Sequence, residues 1–133
     1  IFSYEINEAF LREAERNLKR VGLRDNVTFK LKDITEGIDE SEVDAVILDM
    51  PTPWLVVRHA KRALKGAGYF ISFSPTINQV EKTMSELIGA GFFDLKVVEY
   101  FERAYQVDPN AFRPRTLMIA HTGYITFARK GVS

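Results

Sequence analysis

The chain has 133 residues, of which 46% are hydrophobic and 12% aromatic, and this is enough apolar material for the core of one domain. Its 18 basic residues balance its 18 acidic residues. The balance excludes a strong overall field that attracts nucleic acid or an anionic membrane, so any nucleic-acid contact has to come from a local patch. The absence of cysteine excludes disulfides and thiolate zinc sites, and it favours a cytoplasmic location. Because the sequence has neither the ~20-residue apolar run that crosses a bilayer nor a signal-peptide pattern, we expect a soluble protein.

The N-terminal part of the chain predicts a strand, a helix and a second strand. Residues 1–5 are strand-like, and Asn7 is a suitable N-cap for an amphipathic helix that ends at Gly22. Apolar residues then alternate with polar ones over residues 27–31, as in a strand, and Asp33 follows shortly after. Because the chain opens on a strand without an initiator methionine, we expect the natural protein to begin upstream.

The middle of the chain alternates between strands and helices. Residues 45–48 form a continuous apolar run that ends at Asp49, which is typical of a parallel strand covered on both faces. Thr52 and Pro53 have the character of an N-cap and a first helical residue, and they predict a helix that runs to about Lys65.

A further strand and helix follow Gly66 and Gly68, which are expected to stop the preceding helix. Residues 69–73 predict a buried strand, and Thr76 with Gln79 forms the capping-box pattern that begins a helix.

The C-terminal part changes to two long predicted strands, residues 93–101 and 117–128, joined by a polar loop. Three strand-helix units followed by a strand pair predict an α/β fold, with a mainly parallel sheet and a C-terminal antiparallel hairpin. Since no linker or repeat interrupts this order, residues 1–133 are expected to belong to one domain.

Three acidic residues, Glu5, Asp33 and Asp49, stand at predicted strand ends, where ligands gather in open parallel sheets. Glu5 is well placed to accept hydrogen bonds from ribose hydroxyls, and Asp33 to accept one from an adenine amine. Strand ends also carry acids that meet only solvent. Three acids at successive strand ends nevertheless favour a ligand site.

The segment after Asp49 combines a stiff backbone with an aromatic surface. Pro51 and Pro53 fix φ beside Trp54, on whose ring a planar base can stack while Asp49 binds or deprotonates the amino edge of that base. Taken alone, Trp54 is more typical of a core residue at the first turn of a helix.

The polar loop before residue 117 carries Arg103, Arg113 and Arg115, with two aromatic residues between them. Guanidinium groups beside aromatic rings suit phosphate contacts and base stacking, although a solvated hairpin tip or a subunit contact explains the pattern equally well. His121 has no second histidine or cysteine at ligand spacing, so no metal site is predicted.

Five short segments, spread over nearly the whole chain, together carry a family resemblance. They are Tyr4-Glu5, Leu31-Lys32-Asp33-Ile34-x-x-Gly37, Val46-Ile47-Leu48-Asp49-Met50-Pro51-x-Pro53-Trp54, Arg113-Pro114-Arg115 and His121-Thr122-Gly123-Tyr124. In this order they resemble the tRNA (adenine-N1)-methyltransferase family, TrmI-like, and particularly its archaeal members. The resemblance implies the Rossmann-like class I methyltransferase fold, which ends in an antiparallel hairpin.

The same resemblance implies the chemistry. The cofactor is S-adenosylmethionine, and the methyl acceptor is N1 of adenosine in the T-loop of tRNA, at position 58 and sometimes also at 57. Glu5 is implied to bind the cofactor ribose, Asp33 and Ile34 its adenine, and Asp49, as the catalytic residue, to lie between cofactor and target base. The residues implied to bind tRNA are Pro51, Trp54, Arg113, Arg115 and His121. The family further implies a homotetramer, with no metal and no membrane contact.

The sequence departs from the family at its N-terminal side. The first strand, the glycine-rich turn after it, the following helix and a small N-terminal β-domain are missing from this chain. Because that strand lies centrally in the family's sheet, we expect a gap in the core and poor cofactor binding by this chain alone.

Two other functions stay open on the sequence. One is a methyltransferase of the same fold that acts on a small molecule or a protein, with the arginine loop serving assembly. The other is a non-catalytic subunit that binds RNA or a partner. The missing glycine-rich turn favours the second, whereas the retained Glu5, Asp33 and Asp49 count against it.

Overall fold

The computed structural model describes residues 1–132, which fall into two compact units, Ile1–Asp39 and a second unit that begins at Glu40. The first unit contains a pair of parallel strands and one α-helix: β1 (Phe2–Glu5), α1 (Glu8–Arg20) and β2 (Thr28–Leu31). The register aligns Glu5 with Leu31, so both strands end at the same edge of their sheet.

Helix α1 confirms the predicted amphipathic helix, although its apolar side stays open. The Asn7 side chain caps the helix, because its oxygen accepts a hydrogen bond from the Ala9 N–H at 2.9 Å. Phe10 is 61% exposed, and in the described chain no residue of α1 is buried. The apolar stripe of this helix therefore lacks the covering surface that such a stripe usually packs against.

The second unit is built on one four-stranded sheet. Its elements are β3 (Val43–Asp49), α2 (Val57–Ala63), β4 (Leu64–Ser74), α3 (Ile77–Gly89), β5 (Phe93–Glu99), β6 (Tyr105–Gln106), β7 (Arg113–Pro114) and β8 (Tyr124–Arg129). The strand order is β3-β4-β8-β5, in which β3 and β4 are parallel and β8 is antiparallel to both of its neighbours. The parallel strands and the antiparallel β5-β8 pair confirm the predicted fold class. Within residues 1–132, no helix has the length and apolar character that a membrane crossing requires.

The core of the second unit lies on one face of this sheet. Alternate residues of β4 are buried, and the ring of Phe70 meets that of Phe92 edge-on, with 6.0 Å between the ring centroids. Leu64 and Leu87, from the start of β4 and from α3, are also fully buried. This burial on one side of β4 gives the unit its own hydrophobic core.

The expectation that residues 45–48 are covered on both faces is wrong. Val46 and Leu48 are buried, whereas Ile47 between them is 72% exposed. Successive side chains of a strand point to opposite faces, so the face that carries Ile47 is the open one. Among the described residues β3 also pairs only with β4, which makes it an edge strand.

The helix predicted from Thr52 to Lys65 is shorter at both ends. Thr52 makes no side-chain capping bond, and Pro53–Val56 form a 3-10 turn before α2 begins. The chain becomes extended at Leu64, which pairs with Val43 in the sheet. Pairing with a distant strand therefore overrides the helical pattern.

Gly66 and Gly68 consequently lie inside β4 and do not stop a helix. A Cβ at Gly68 would lie 3.1 Å from the Asp44 carbonyl oxygen, so glycine permits the close approach of β3.

The strand predicted over residues 117–128 begins later, at Tyr124. Tyr124 pairs with Ser74 on one side and with Glu99 on the other, and these are the last residues of β4 and β5. Upstream of Tyr124 neither neighbouring strand continues, so residues 117–123 have no ladder to join. The preceding loop contains the short hairpin of β6 and β7.

A side chain at position 123 would collide with the ring of Phe73, so replacement of Gly123 is expected to destabilise the second unit. A Cβ at this buried position would lie 2.3 Å from Cζ of Phe73. Gly123→Ala should therefore lower the free energy of unfolding by ~1–3 kcal/mol, as overpacking does, measured by urea denaturation. Gly89→Ala is the matched control because nothing lies within 4 Å of its Cβ, and it should leave stability unchanged or raise it by less than ~1 kcal/mol. Equal effects of the two substitutions would contradict this assignment.

Candidate functional site

Glu5 is held at the carboxyl end of β1 by its own backbone surroundings. One carboxylate oxygen accepts a hydrogen bond from the Asn7 N–H at 2.7 Å, and the Glu5 carbonyl accepts one from the Lys32 N–H at 3.0 Å. Within residues 1–132 the second carboxylate oxygen has no hydrogen-bond partner. The side chain is half-buried, so it is an oriented acceptor with one oxygen to offer.

Asp33 follows β2 and begins a 3-10 turn, Ile34–Glu36. Its Oδ1 accepts hydrogen bonds from the Thr35 hydroxyl at 2.7 Å and from the Thr35 N–H at 2.8 Å. These bonds, the hydroxyl first and the backbone second, hold the pKa of Asp33 below its ordinary value because they favour the charged form. Ile34, the predicted cofactor neighbour, is half-buried in the first position of this turn.

The structure thus brings Glu5 and Asp33 to one edge of the first unit, beyond the ends of two adjacent parallel strands. In each carboxylate one oxygen accepts a hydrogen bond from a nearby backbone N–H, and the other oxygen can accept one from a ligand. Ionised carboxylates only accept hydrogen bonds. The pair is therefore suited to ligand hydroxyl or amine groups.

Asp49 is the last residue of β3 and is exposed. The register places it beside Phe73 of β4. No hydrogen bond or ion pair with another residue of the described chain engages its carboxylate. Unlike Glu5 and Asp33, Asp49 has both carboxylate oxygens available to a ligand.

The segment after Asp49 is attached to α3 at two points. Nε2 of Gln79 donates a hydrogen bond to the Pro51 carbonyl at 2.9 Å. One turn further along α3, Nζ of Lys82 lies 4.9 Å from the centroid of the Trp54 ring, within the range of a cation–π interaction. Trp54 itself is half-buried. The sequence left open whether its ring lies in the core or is an exposed surface for base stacking, and the observed burial lies between these two.

Sequence reasoning missed Gln79 and Lys82 as neighbours of this segment. The capping-box pattern marked Gln79 only as part of a helix start, and that prediction is confirmed, since Oε1 of Gln79 accepts a hydrogen bond from the Thr76 N–H at 3.1 Å. The spacing of three residues between Gln79 and Lys82 is the available signal, because it places both side chains on one face of the helix.

His121 lies in the loop before β8 and is bonded at both ring nitrogens. Nδ1 donates to Oε1 of Glu99 at 2.5 Å, and Nε2 donates to the Pro75 carbonyl at 2.7 Å. The Glu99 carboxylate, and then the Pro75 carbonyl, raise the pKa of His121 above its ordinary 6.5. When it is protonated, His121 donates from both ring nitrogens and ties the loop to the ends of β4 and β5.

The arginine hairpin of β6 and β7 presents exposed cations. Arg113 donates to the Thr116 hydroxyl at 3.1 Å, whereas the guanidinium of Arg115 has no partner within residues 1–132. The rings of Tyr105 and Phe112 face each other across the hairpin, with centroids 6.3 Å apart. No carboxylate of the described chain pairs with either arginine, so both can bind a phosphate.

Asp49 and His121 belong to the same edge of the second unit. Asp49 pairs with Phe73, and Tyr124, just after His121, pairs with Ser74.

Among residues 1–132 no group of three or more acidic or histidine side chains is arranged to hold a metal ion. A cavity of about 620 Å³ lies elsewhere in this unit and contains none of the predicted site residues. Its lining consists of Arg58, Lys61, Arg62, Gly89, Ala90 and Lys130.

The ion pair of His121 predicts a pH-dependent contribution to stability. Glu99→Gln removes the charge and should lower the pKa of His121, measured by NMR titration. His59, the other histidine, serves as the internal reference. Because the folded pKa is raised, the stabilisation is complete below pH 6.5, as long as Glu99 is ionised, and is lost as pH rises through the folded pKa. The difference in unfolding free energy between wild type and Glu99→Gln should therefore shrink as pH rises, and a difference that grows would disprove the pairing.

Comparison with known proteins relates this chain to RNA methyltransferases. The sequence model of the tRNA methyltransferase complex GCD14 subunit matches residues 1–118. TrmI of Methanocaldococcus jannaschii, a tRNA (adenine(57)-N(1)/adenine(58)-N(1))-methyltransferase, is 38% identical over 97% of this chain and 55% of its own length.

Solved structures of two methyltransferases superpose on nearly the whole chain. A SAM-dependent O-methyltransferase from Thermotoga maritima superposes with a TM-score of 0.91 and 44% identity, over 98% of this chain and 49% of that one. The tRNA (m1A58) methyltransferase TrmI of Aquifex aeolicus gives 0.85 and 32%, over 97% and 52% of the two chains. The chain thus spans about half the length of these relatives. Since the sequence model covers most of the chain, the protein belongs to the GCD14/TrmI family of tRNA (adenine-N1)-methyltransferases.

Proposed function

We propose that this chain is the C-terminal part of the catalytic domain of an S-adenosylmethionine-dependent enzyme that methylates N1 of adenosine in tRNA. The observation that carries the proposal is the unpaired Asp49 carboxylate at the end of β3, followed by Pro51, Pro53 and the half-buried Trp54. In a member of this family, the carboxylate can accept a hydrogen bond from the amino group of a planar base, and the ring of Trp54 lies in the same segment. The relative from Methanocaldococcus jannaschii is named for positions 57 and 58, and we propose the same acceptors here.

The two units belong, in this proposal, to one domain that is completed by further chain. Among the described residues, β1 pairs only with β2, and β3 pairs only with β4. Each sheet therefore has an edge on which another strand can form a ladder. The open apolar side of α1 and the exposed Ile47 support the same view, because surfaces of this kind are normally covered in a complete domain.

Glu5, Asp33 and Ile34 are assigned to the cofactor. The free oxygen of Glu5 accepts from ribose hydroxyls, and that of Asp33 accepts from the adenine amine, while Ile34 supplies apolar contact beside it. The bonds from Thr35 hold the pKa of Asp33 below its ordinary value, so the side chain is a charged acceptor in a fixed orientation. S-adenosylmethionine supplies the methyl group when it is bound.

Asp49 is assigned to the target base and also borders the cofactor. N1 of adenine carries a lone pair, so no strong base is required to activate it. The Asp49 carboxylate orients the exocyclic amine and stabilises the positive charge that develops on the base during transfer. Holding the base in a productive orientation supplies much of the acceleration.

The remaining predicted residues are assigned to RNA. Pro51 and Trp54 border the base, and Arg113 and Arg115 contact phosphates from the exposed hairpin. Because the net charge of the chain is zero, RNA binding requires a local cationic patch, and these two arginines supply one. His121 supports the loop that precedes β8 and so acts on RNA through that loop's shape. A homotetramer is part of the same proposal, with the family's assembly as its only support.

A second candidate is a methyltransferase of this fold that acts on another substrate. It is favoured by the structure from Thermotoga maritima, which is 44% identical and is described as an O-methyltransferase.

Substitution of Asp49 tests the proposed catalytic role. In the full-length protein, Asp49→Ala should reduce turnover by ~10²–10³-fold, as loss of a transition-state contact does, and should change the dissociation constant of S-adenosylmethionine much less. Turnover comes from single-turnover methylation of tRNA, and cofactor affinity from calorimetry. Asp44→Ala is the control, because Asp44 is an exposed acid of the same strand that pairs with Lys65. Equal losses of turnover and cofactor affinity in Asp49→Ala would count against this role.

Substrate choice is tested with tRNA transcripts. The full-length protein should methylate a transcript with adenosine at positions 57 and 58, and activity should fall to background when both are guanosine. The transferred methyl group is located by mass spectrometry of the digested nucleosides. Undiminished methylation of the guanosine transcript would contradict the proposed acceptors, and failure to methylate either transcript would favour the second candidate.

A further inference from the structure

The side-chain amide of Gln79 forms hydrogen bonds with two different segments of the second unit, one through its oxygen and one through its nitrogen. Its Oε1 accepts hydrogen bonds from the Thr76 N–H at 3.1 Å and from the Thr76 hydroxyl at 2.8 Å. Its Nε2 donates to the Pro51 carbonyl at 2.9 Å. The side chain thus joins the first turn of α3 to the segment that follows Asp49.

The two contacts fix the orientation of the amide. A backbone N–H can only donate and a backbone carbonyl can only accept, so Oε1 has to face Thr76 and Nε2 has to face Pro51. The flipped amide would lose both bonds. Gln79 is half-buried, and leaving its polar atoms unpaired would be unfavourable.

The capping function alone does not require glutamine. Capping boxes are made equally by glutamate and glutamine, because either side chain supplies the accepting oxygen. Only the amide also supplies a donor for Pro51. The bond to Pro51 is therefore a second and separable use of the residue.

We propose that Gln79 is a positioning residue for Asp49. Its bond to the Pro51 carbonyl holds the backbone two residues after Asp49, and the contact between Lys82 and Trp54 holds the same segment again one turn further along α3. The Asp49 carboxylate has no bond of its own within the described residues. Pairing with Phe73 of β4 holds the Asp49 backbone on the strand side, and the bond from Gln79 to the Pro51 carbonyl holds the chain directly after it.

The role of Gln79 rests on the proposed function of Asp49, and Gln79→Glu tests it. The carboxylate keeps the acceptor for Thr76 and loses the donor for Pro51, where it instead faces a carbonyl oxygen. In the full-length protein, turnover should fall by ~10–100-fold, the scale expected for a misplaced catalytic group. The dissociation constant of S-adenosylmethionine should stay unchanged, and the urea midpoint should fall no further than it does in Thr76→Ala.

Thr76→Ala is the matched control. It removes the hydroxyl partner of Oε1 and leaves the donor to Pro51 in place, so the urea midpoint should fall while turnover stays near that of the wild type. If Thr76→Ala and Gln79→Glu lower stability and turnover in the same proportion, Gln79 serves only to cap the helix and the proposal is overturned.

A double-mutant cycle distinguishes this proposal from the proposed function. If Gln79 acts through Asp49, Gln79→Glu should cause no further loss of turnover in the Asp49→Ala background. A full additional loss there would overturn the positioning role. If Asp49→Ala itself leaves turnover unchanged, the proposed function of Asp49 fails. If Asp49→Ala lowers turnover and Gln79→Glu does not, only the role of Gln79 fails.

Discussion

The second unit depends on the register of β4, which pairs with β3 on one side and with β8 on the other. This register places Asp49 beside Phe73, and Tyr124 beside Ser74, so the end of β3 and the loop before β8 meet at one edge of the sheet. A shift of one residue would turn the buried side chains of β4 to the open face. Burial of residues such as Phe70 excludes that shift. The position of the candidate site is therefore set by packing on the opposite side of the same strand.

The sequence predicted which elements exist because their signals are local. Helix α1 has a capping residue and a periodic apolar stripe, and the start of α3 has its capping box. Element ends were less predictable, since distant strands decide them. Leu64 leaves the helix to pair with Val43, and β8 begins only at Tyr124, where β4 and β5 offer partners.

The same distinction applies to the candidate site. The three acids at strand ends were visible in the sequence because a strand end is marked by the residues around it. Their surroundings were visible only in part. The bond from Thr35 to Asp33 is local, whereas Gln79 reaches Pro51 and His121 reaches Glu99 across long stretches of chain. His121 stays a predicted substrate contact, and in the structure both of its ring nitrogens are bonded within the second unit.

The contact between Phe73 and Gly123 also has a consequence for how this protein can evolve. The ring occupies the space where any other side chain at position 123 would begin. A larger residue there requires the Phe73 ring to move or position 73 to become smaller. The two positions are far apart in the sequence, yet substitutions at one should affect which residues are tolerated at the other, and the order of the substitutions should affect the stability of the intermediates.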